Sequence, residues 1–281
     1  MRVRRIGIVL AAVAALGVSA AACGESASSS SVVDKAKKDK KLTIGVKYDQ
    51  PGLGLKMPNG QVDGFDVATA KYIAGKLGVP ESGITWKETR SANRESYLQQ
   101  GQVDLVLASY SIIPDRLNKV TFGGPYYVAH QDTLVRASDN SMKSVKDLKG
   151  KRLCQVAGSN SWKRVTEDQK VPDVKLVPAS AYDECITKLE GKSIDALSTD
   201  DLILAGYAAR SPGKFKLLNK PFTDEKYGVG IRKGDKKTCE AVNKAITSYY
   251  SDGTAEKNLK KYYGKTGLKL GTTVPKFQGC S

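Results

Sequence analysis

The amino-acid sequence predicts an α/β protein in two lobes, and three observations lead there. Apolar runs of strand character are each followed by a segment of helical spacing, as where Leu42-Thr-Ile-Gly-Val46 is followed by Val67, Ala70, Ile73, Ala74 and Leu77. The same strand-helix rhythm starts afresh near Val145, after an extended stretch. A lone extended run at residues 227–232 then precedes a helical segment; with one strand of its own, this C-terminal part buries its apolar face best by crossing back to the first lobe. Two crossovers would form a hinge. The 281 residues, 40% hydrophobic, suffice for two such lobes.

The chain opens on a positive segment, residues 1–5, then an apolar run from Ile6 to Ala22, so residues 1–22 read as a signal peptide. Cys23 follows Ala20-Ala21-Ala22, which resembles a bacterial lipoprotein signal in which Cys23 becomes the lipidated first residue. Ala20 departs from the large aliphatic residue usual there, and ordinary cleavage at an A-x-A-like site is the alternative. The apolar run is short for a retained membrane span of about 20 residues. The serine-rich stretch at 24–34 and the basic run KAKKDKK read as a flexible linker, so residues 23–41 are expected to be anchor and tether.

Folded structure is expected from Leu42. After the first strand, Lys47-Tyr-Asp-Gln-Pro-Gly52 is a polar loop, and Asp66 is the expected N-cap of a helix that stops at Gly78. A strand at 84–88, a short helix at 91–100 and a nearly all-apolar strand at 104–109 complete an α/β unit, the last expected at the centre of a parallel sheet. Strands at 151–157, 174–178 and 194–198 alternate with helices at 161–169, 182–190 and 200–209, and a final helix is expected at 238–250. The expected division is 42–133 with 227–281 as lobe 1 and 134–226 as lobe 2.

Composition narrows the function. Lysine plus arginine number 45 against 29 acidic residues, a net charge of +16, but the basic residues are scattered without aromatic interleaving or zinc-finger spacing, so nucleic acid is not the expected partner. Four cysteines follow Cys23, an even number in an exported chain, which reads as two disulfides with three possible connectivities. Cys154–Cys185 with Cys239–Cys280 is the preferred pairing, because each pair then lies within one continuous segment. No C-x-x-C, H-E-x-x-H, P-loop or Ser-His-Asp set occurs, so no metal, cofactor or catalytic residue is expected. His130, the single histidine, sits in the expected crossover strand and reads as a hinge-packing residue.

The stretch DLVLASYSIIPDRLNKVTFGGPYY, residues 104–127, places Arg116 beyond Ser109 and Ser111, well suited to hold a small carboxylate by a charge-assisted bidentate pair. Gly158-Ser-Asn-Ser161 opens a helix directly after a strand, where free N–H groups favour an anion; Ser159 and Ser161 are candidates there, with a simple N-cap as the alternative.

KYDQPGLGLK, GFDVATAKYIA, SANRE, DLVLASYSIIPDR, GPYYVAHQD, LCQVAGSNS and DALSTDDLILAGYAA, in this order, resemble the type II periplasmic amino-acid-binding proteins of ABC importers, and more narrowly actinobacterial glutamate-binding lipoproteins. The resemblance covers nearly all of 42–264 and implies a two-lobed periplasmic-binding-protein-like II fold with two crossover strands as a hinge. It implies that Arg116 grips the ligand α-carboxylate, that Ser111 and Ser109 hold the amino-acid head, and that Asp200 pairs with the ammonium, unless Asp200 merely caps the helix after it. The pattern departs at Ile113-Pro114, which touches only fine geometry. Lys47 stands where glutamine and basic-amino-acid relatives have Asp, and Arg94, beside Ser91, matches a second cation of acidic-amino-acid relatives. Tyr182 is a further cleft candidate. The implied protein is a monomer, lipid-anchored to the outer face of the cell membrane, that binds L-glutamate first and L-aspartate second and delivers it to a permease with its ATPase. A binder of another polar amino acid such as glutamine, or a cyclohexadienyl dehydratase-like enzyme on the same scaffold, is the alternative.

Overall fold

In the computed structural model, which describes residues 31–280, secondary structure begins earlier than Leu42. Helix α1 (Val32–Asp39) is capped by Ser31, whose side chain accepts from Asp34 N, and it buries Val32, Val33 and Ala36. Its first amides donate to Asp235 and Thr238, 2.8 and 3.0 Å, and Lys35 pairs with Asp104 at 2.7 Å. The expected tether is therefore corrected from Val32 onward: an apolar triplet at i, i+1 and i+4 gives the lysine-rich run a buried face. The expected signal peptide and Cys23 lie outside the described residues.

The first part of the chain continues as β1 (Leu42–Val46), β2 (Asp49–Gln50), β3 (Gly54–Lys56), β4 (Val62–Asp63), α2 (Phe65–Lys76), β5 (Ile84–Glu88), α3 (Arg94–Gln99), β6 (Leu105–Val106) and α4 (Pro114–Leu117). Strand β1 pairs in parallel with β5 on one side and β6 on the other. Asp66 does not cap α2. Gly64 holds the cap position at φ 140°, and Asp66 lies one residue into the helix, buried, accepting from Ser109 N at 2.8 Å and Tyr126 Oη at 2.7 Å.

Strand β7 (Val120–Arg136) is 17 residues long and carries the chain onward without a break. It leads to β8 (Arg152–Val156), α5 (Ser161–Lys163), β9 (Lys175–Ala179), α6 (Tyr182–Glu190), β10 (Leu197–Asp200), α7 (Asp201–Arg210) and β11 (Phe215–Leu217). The return strand β12 (Thr223–Arg232) pairs antiparallel with β7 from Thr223 opposite Gln131 to Arg232 opposite Val120. Strand β10 begins at Leu197, three residues later than the strand expected at 194–198, so that Asp200 ends it.

The main sheet has the order β10-β7-β12-β6-β1-β5, with β11 beside β7. β6 thus lies between a parallel and an antiparallel neighbour, and the expected all-parallel sheet is mixed. Helix α8 (Lys236–Ser251) packs Val242, Ala245, Ile246 and Tyr249 inward, as its periodicity indicates. Helix α9 (Thr254–Tyr263), which the sequence reading did not anticipate, buries Ala255, Leu259 and Tyr263. The two disulfides join Cys154 to Cys185 and Cys239 to Cys280. The first ties β8 to α6, and the second fastens the C-terminal tail to α8.

Candidate functional site

Strands deliver the candidate residues at their carboxyl ends, where chain leaving a sheet offers side chains and free amides to one crevice. Lys47 directly follows β1, Ser91 and Arg94 follow β5, and Ser109 and Ser111 follow β6. From the other side, Ser159 and Ser161 follow β8, Tyr182 follows β9, and Asp200 ends β10. Ser91, Arg94, Ser109, Ser111, Ser159, Ser161, Tyr182 and Asp200 line one small, narrow cavity, together with Asn160 and Ile203. Arg116 lines the open cleft adjoining it, with Ile113, Asp115 and Trp162.

Three cations converge on the first side. Lys47 is only 3% exposed and its ammonium makes one hydrogen bond, to Ser91 Oγ at 2.8 Å. Burial, then the charges of Arg94 and Arg116, push its pKa down to about 7. Arg94 donates to the carbonyls of Ala108 and Ser109, both 3.1 Å, and to Gly158 O at 3.2 Å, while its Nε has no partner. Arg116 donates to Ser111 O at 2.8 Å, to Gly158 O at 3.2 Å and to Asn160 Oδ1 at 3.3 Å. Its nearest acid is Glu95 at 3.5 Å, and burial lowers its pKa to about 10. Both guanidinium groups lie over the Tyr110 ring, 4.4 and 5.1 Å from its centroid, which fixes their planes. The Arg94 guanidinium rests on neutral carbonyls alone and that of Arg116 has one acid, Glu95, at 3.5 Å, so an incoming carboxylate gains charge-assisted bonds there.

Ser109 supplies the turn that this arrangement needs. It has φ 43°, a left-handed conformation uncommon for serine, and is held there by its amide bond to Asp66. That turn presents the Ala108 and Ser109 carbonyls to Arg94.

The opposite side is made of hydroxyls. Ser159 Oγ lies 2.8 Å from Tyr182 Oη and accepts from Ser161 N at 3.1 Å, and Ser161 Oγ lies 3.0 Å from Thr199 Oγ1. Asn160, not Ser159, holds the cap position of the helix that follows, and Ser159 steadies the Ser161 amide from one residue earlier while lining the cavity. That helix is short, Ser161–Lys163 followed by a π-turn at Arg164–Asp168. Asp200 occupies the N-cap position of α7, yet its side chain makes no cap bond. Its carboxylate instead accepts from Tyr227 Oη at 2.6 Å, and burial, then Glu225, raises its pKa to about 8.

His130 lies away from the cavity, on β7, with Nδ1 3.3 Å from Asp201 and Nε2 3.5 Å from Asp224. Its pKa is raised, first by the Asp201 hydrogen bond. Sequence reasoning missed Asn160, Ile203, Tyr110 and the role of Asp66. Asn160 lay inside a motif already singled out, whereas Asp66 was assigned to a cap by its position before a helical run.

The model of the bacterial extracellular solute-binding proteins, family 3, matches residues 42–265. The chain is 37% identical to the glutamate-binding protein GluB of Corynebacterium glutamicum, over 96% of this chain and 94% of that protein. It is 34% identical to the ABC transporter glutamine-binding protein GlnH of Bacillus subtilis, over 86% of this chain and 91% of that protein. Among solved structures, an ancestral arginine-binding protein bound to glutamine matches with a TM-score of 0.74 at 32% identity, over 80% of this chain and 99% of the other. The cysteine-binding protein from Campylobacter jejuni matches with a TM-score of 0.78 at 27% identity, over 86% and 97%.

Proposed function

Because the chain belongs to the bacterial extracellular solute-binding proteins of family 3, amino-acid binders rather than enzymes, we propose that its ligand is an acidic amino acid, L-glutamate first and L-aspartate second. One observation carries the choice of acid: Arg94 and the Asp200 carboxylate line one cavity, the buried Lys47 ammonium bonds its lining residue Ser91, and the buried Arg116 lines the adjoining cleft. A ligand with two carboxylates and one ammonium matches that arrangement of charges. Arg116, with Ser109 and Ser111, takes the α-carboxylate and Asp200 the ammonium, while Lys47 and Arg94 with Ser91 take the side-chain carboxylate. Ser159, Ser161 and Tyr182 complete the enclosure from the other side. Neutral glutamine would leave Lys47 without a counter-charge, and a charge buried alone costs several kcal/mol.

In this reading residues 42–133 with 227–281 form one lobe and 134–226 the other, joined by β7 and β12. Ligand contacts from both lobes stabilise the closed form, and a membrane permease with its ATPase reads that shape. Residues 1–22 are removed and Cys23 is lipidated, which holds a monomer at the outer face of the membrane; intact-mass measurement finding an unmodified Cys23 in the mature protein would sink the anchor. The ligand test is a calorimetric and thermal-shift panel of the common amino acids. Glutamate at 100 times its dissociation constant is expected to add roughly 2.7 kcal/mol of stability. Tight binding of glutamine or arginine with none of glutamate overturns the assignment.

A further inference from the structure

We infer that Asp49 is a positioning residue that makes the charge-reading loop around Lys47 dependent on closure of the cleft, an inference that rests on the two-lobe, acidic-ligand reading above. Asp49 stands in β2, two residues beyond Lys47, and contributes nothing to the cavity lining. Its carboxylate Oδ2 accepts the backbone N–H of Tyr182 at 3.0 Å, 133 positions further along the chain. Tyr182 is the first residue of α6, and the cap position of that helix is Ala181, which has no side chain able to cap it. An acid from residues 42–133 therefore caps a helix from residues 134–226, satisfying one of the amides a helix start leaves free.

Two further contacts hold the same loop. Tyr207 Oη donates to the Asp49 carbonyl at 2.6 Å. Gly206, on α7, lets the Pro51 carbonyl lie so close that an added Cβ would come within 1.9 Å of that oxygen. The residue that Asp49 grips is also a cavity residue, because the Tyr182 hydroxyl bonds Ser159 at 2.8 Å. Asp49 thus links Lys47, which reads the ligand from one lobe, to Tyr182, which encloses it from the other. When the lobes separate, water takes over the α6 amide and the loop loses its fixed seat. A contact present only in the closed form slows ligand escape more than it speeds ligand arrival.

The test uses the full protein, with stopped-flow fluorescence for rates and small-angle scattering for closure. Asp49→Ala is expected to raise the glutamate off-rate about tenfold with the on-rate within about twofold, in line with the usual worth of a helix cap. The ligand-free melting temperature stays unchanged, and discrimination between glutamate and glutamine narrows. Asp49→Asn, which keeps an oxygen to accept the amide, recovers most of the slow off-rate. Gly206→Ala should leave the ligand-free melting temperature equal or higher, since alanine is the better helix former, yet glutamate binding is lost and scattering shows an open cleft. An unchanged off-rate in Asp49→Ala, or a slower-binding variant whose only defect is a lowered melting temperature, overturns the inference. Absence of any amino-acid binding by the unaltered protein would instead overturn the reading on which it rests.

Discussion

The two faces of the cleft offer a ligand different chemistry. The face built on β1, β5 and β6 carries three buried cations held in place by carbonyls, by the Tyr110 ring and by the strained Ser109 turn on Asp66. The face built on β8, β9 and β10 carries interlinked hydroxyls, each able to donate or accept, and the single carboxylate of Asp200. A rigid charged face can choose between ligands by sign, because a mismatched charge in a desolvated site is costly. A hydroxyl face can wrap many ligands and discriminates little. On the proposed reading, the difference puts selection of the ligand on the first face and its enclosure on the second.

The largest expected effect breaks the first face outright. Arg116→Ala should lower the affinity for every amino acid by at least about a hundredfold in calorimetry, as expected when one partner of a buried charge pair is removed. A variant that still binds glutamate within tenfold would show that the head group is held elsewhere. Next in size, Lys47→Asp should cost glutamate about a hundredfold while glutamine is retained or improved, measured by competition against the unaltered protein. Equal losses for both ligands would place Lys47 outside side-chain selection.

The smallest effect sharpens the comparison through pH. With Lys47 near 7 and Asp200 near 8 in the free site, a ligand that needs Lys47 charged and Asp200 ionised meets each in the wrong state over part of the range. Below about pH 7 the lysine is charged and Asp200 must release a proton on binding, so affinity rises with pH. Above about pH 8 Asp200 is ionised and Lys47 must take up a proton, so affinity falls. Calorimetry in buffers of different ionisation enthalpy should show proton release on the acid side and uptake on the alkaline side, at most about tenfold in affinity per pH unit. A monotonic profile would remove one of the two groups from the ligand.

Much of this site was legible before the structure, and particular residues show why. Lys47, Ser109, Ser159 and Asp200 stand at or just past apolar strand runs, and the carboxyl ends of parallel strands such as β1 and β6 gather at one edge of their sheet. The disulfide pairing followed from parity and segment continuity, and the structure has the same pairs. Asp66 was not legible, because a carboxylate one residue into a helix looks like a cap unless its partners, Ser109 and Tyr126, are known to be near. Helix α1 was misread for a related reason: its lysines resemble a solvated run, and only the packing of Val32, Val33 and Ala36 against the folded chain gives it a buried side.

The sequence by itself determined the alternation of strands and helices, the exported class and the set of charges at the strand ends, because hydrophobic period and residue type are local properties. Tertiary structure alone decided what those charges do. The pKa of Lys47 is brought down to about 7 by burial first and then by Arg94 and Arg116, which arrive beside it. Asp200 faces the cavity instead of capping α7, and Tyr227, from the return strand, holds its carboxylate. Asp49 caps a helix that begins 133 residues later. Desolvation and hydrogen-bond choice depend on distances between residues far apart in the chain, and those distances exist only once the chain has folded.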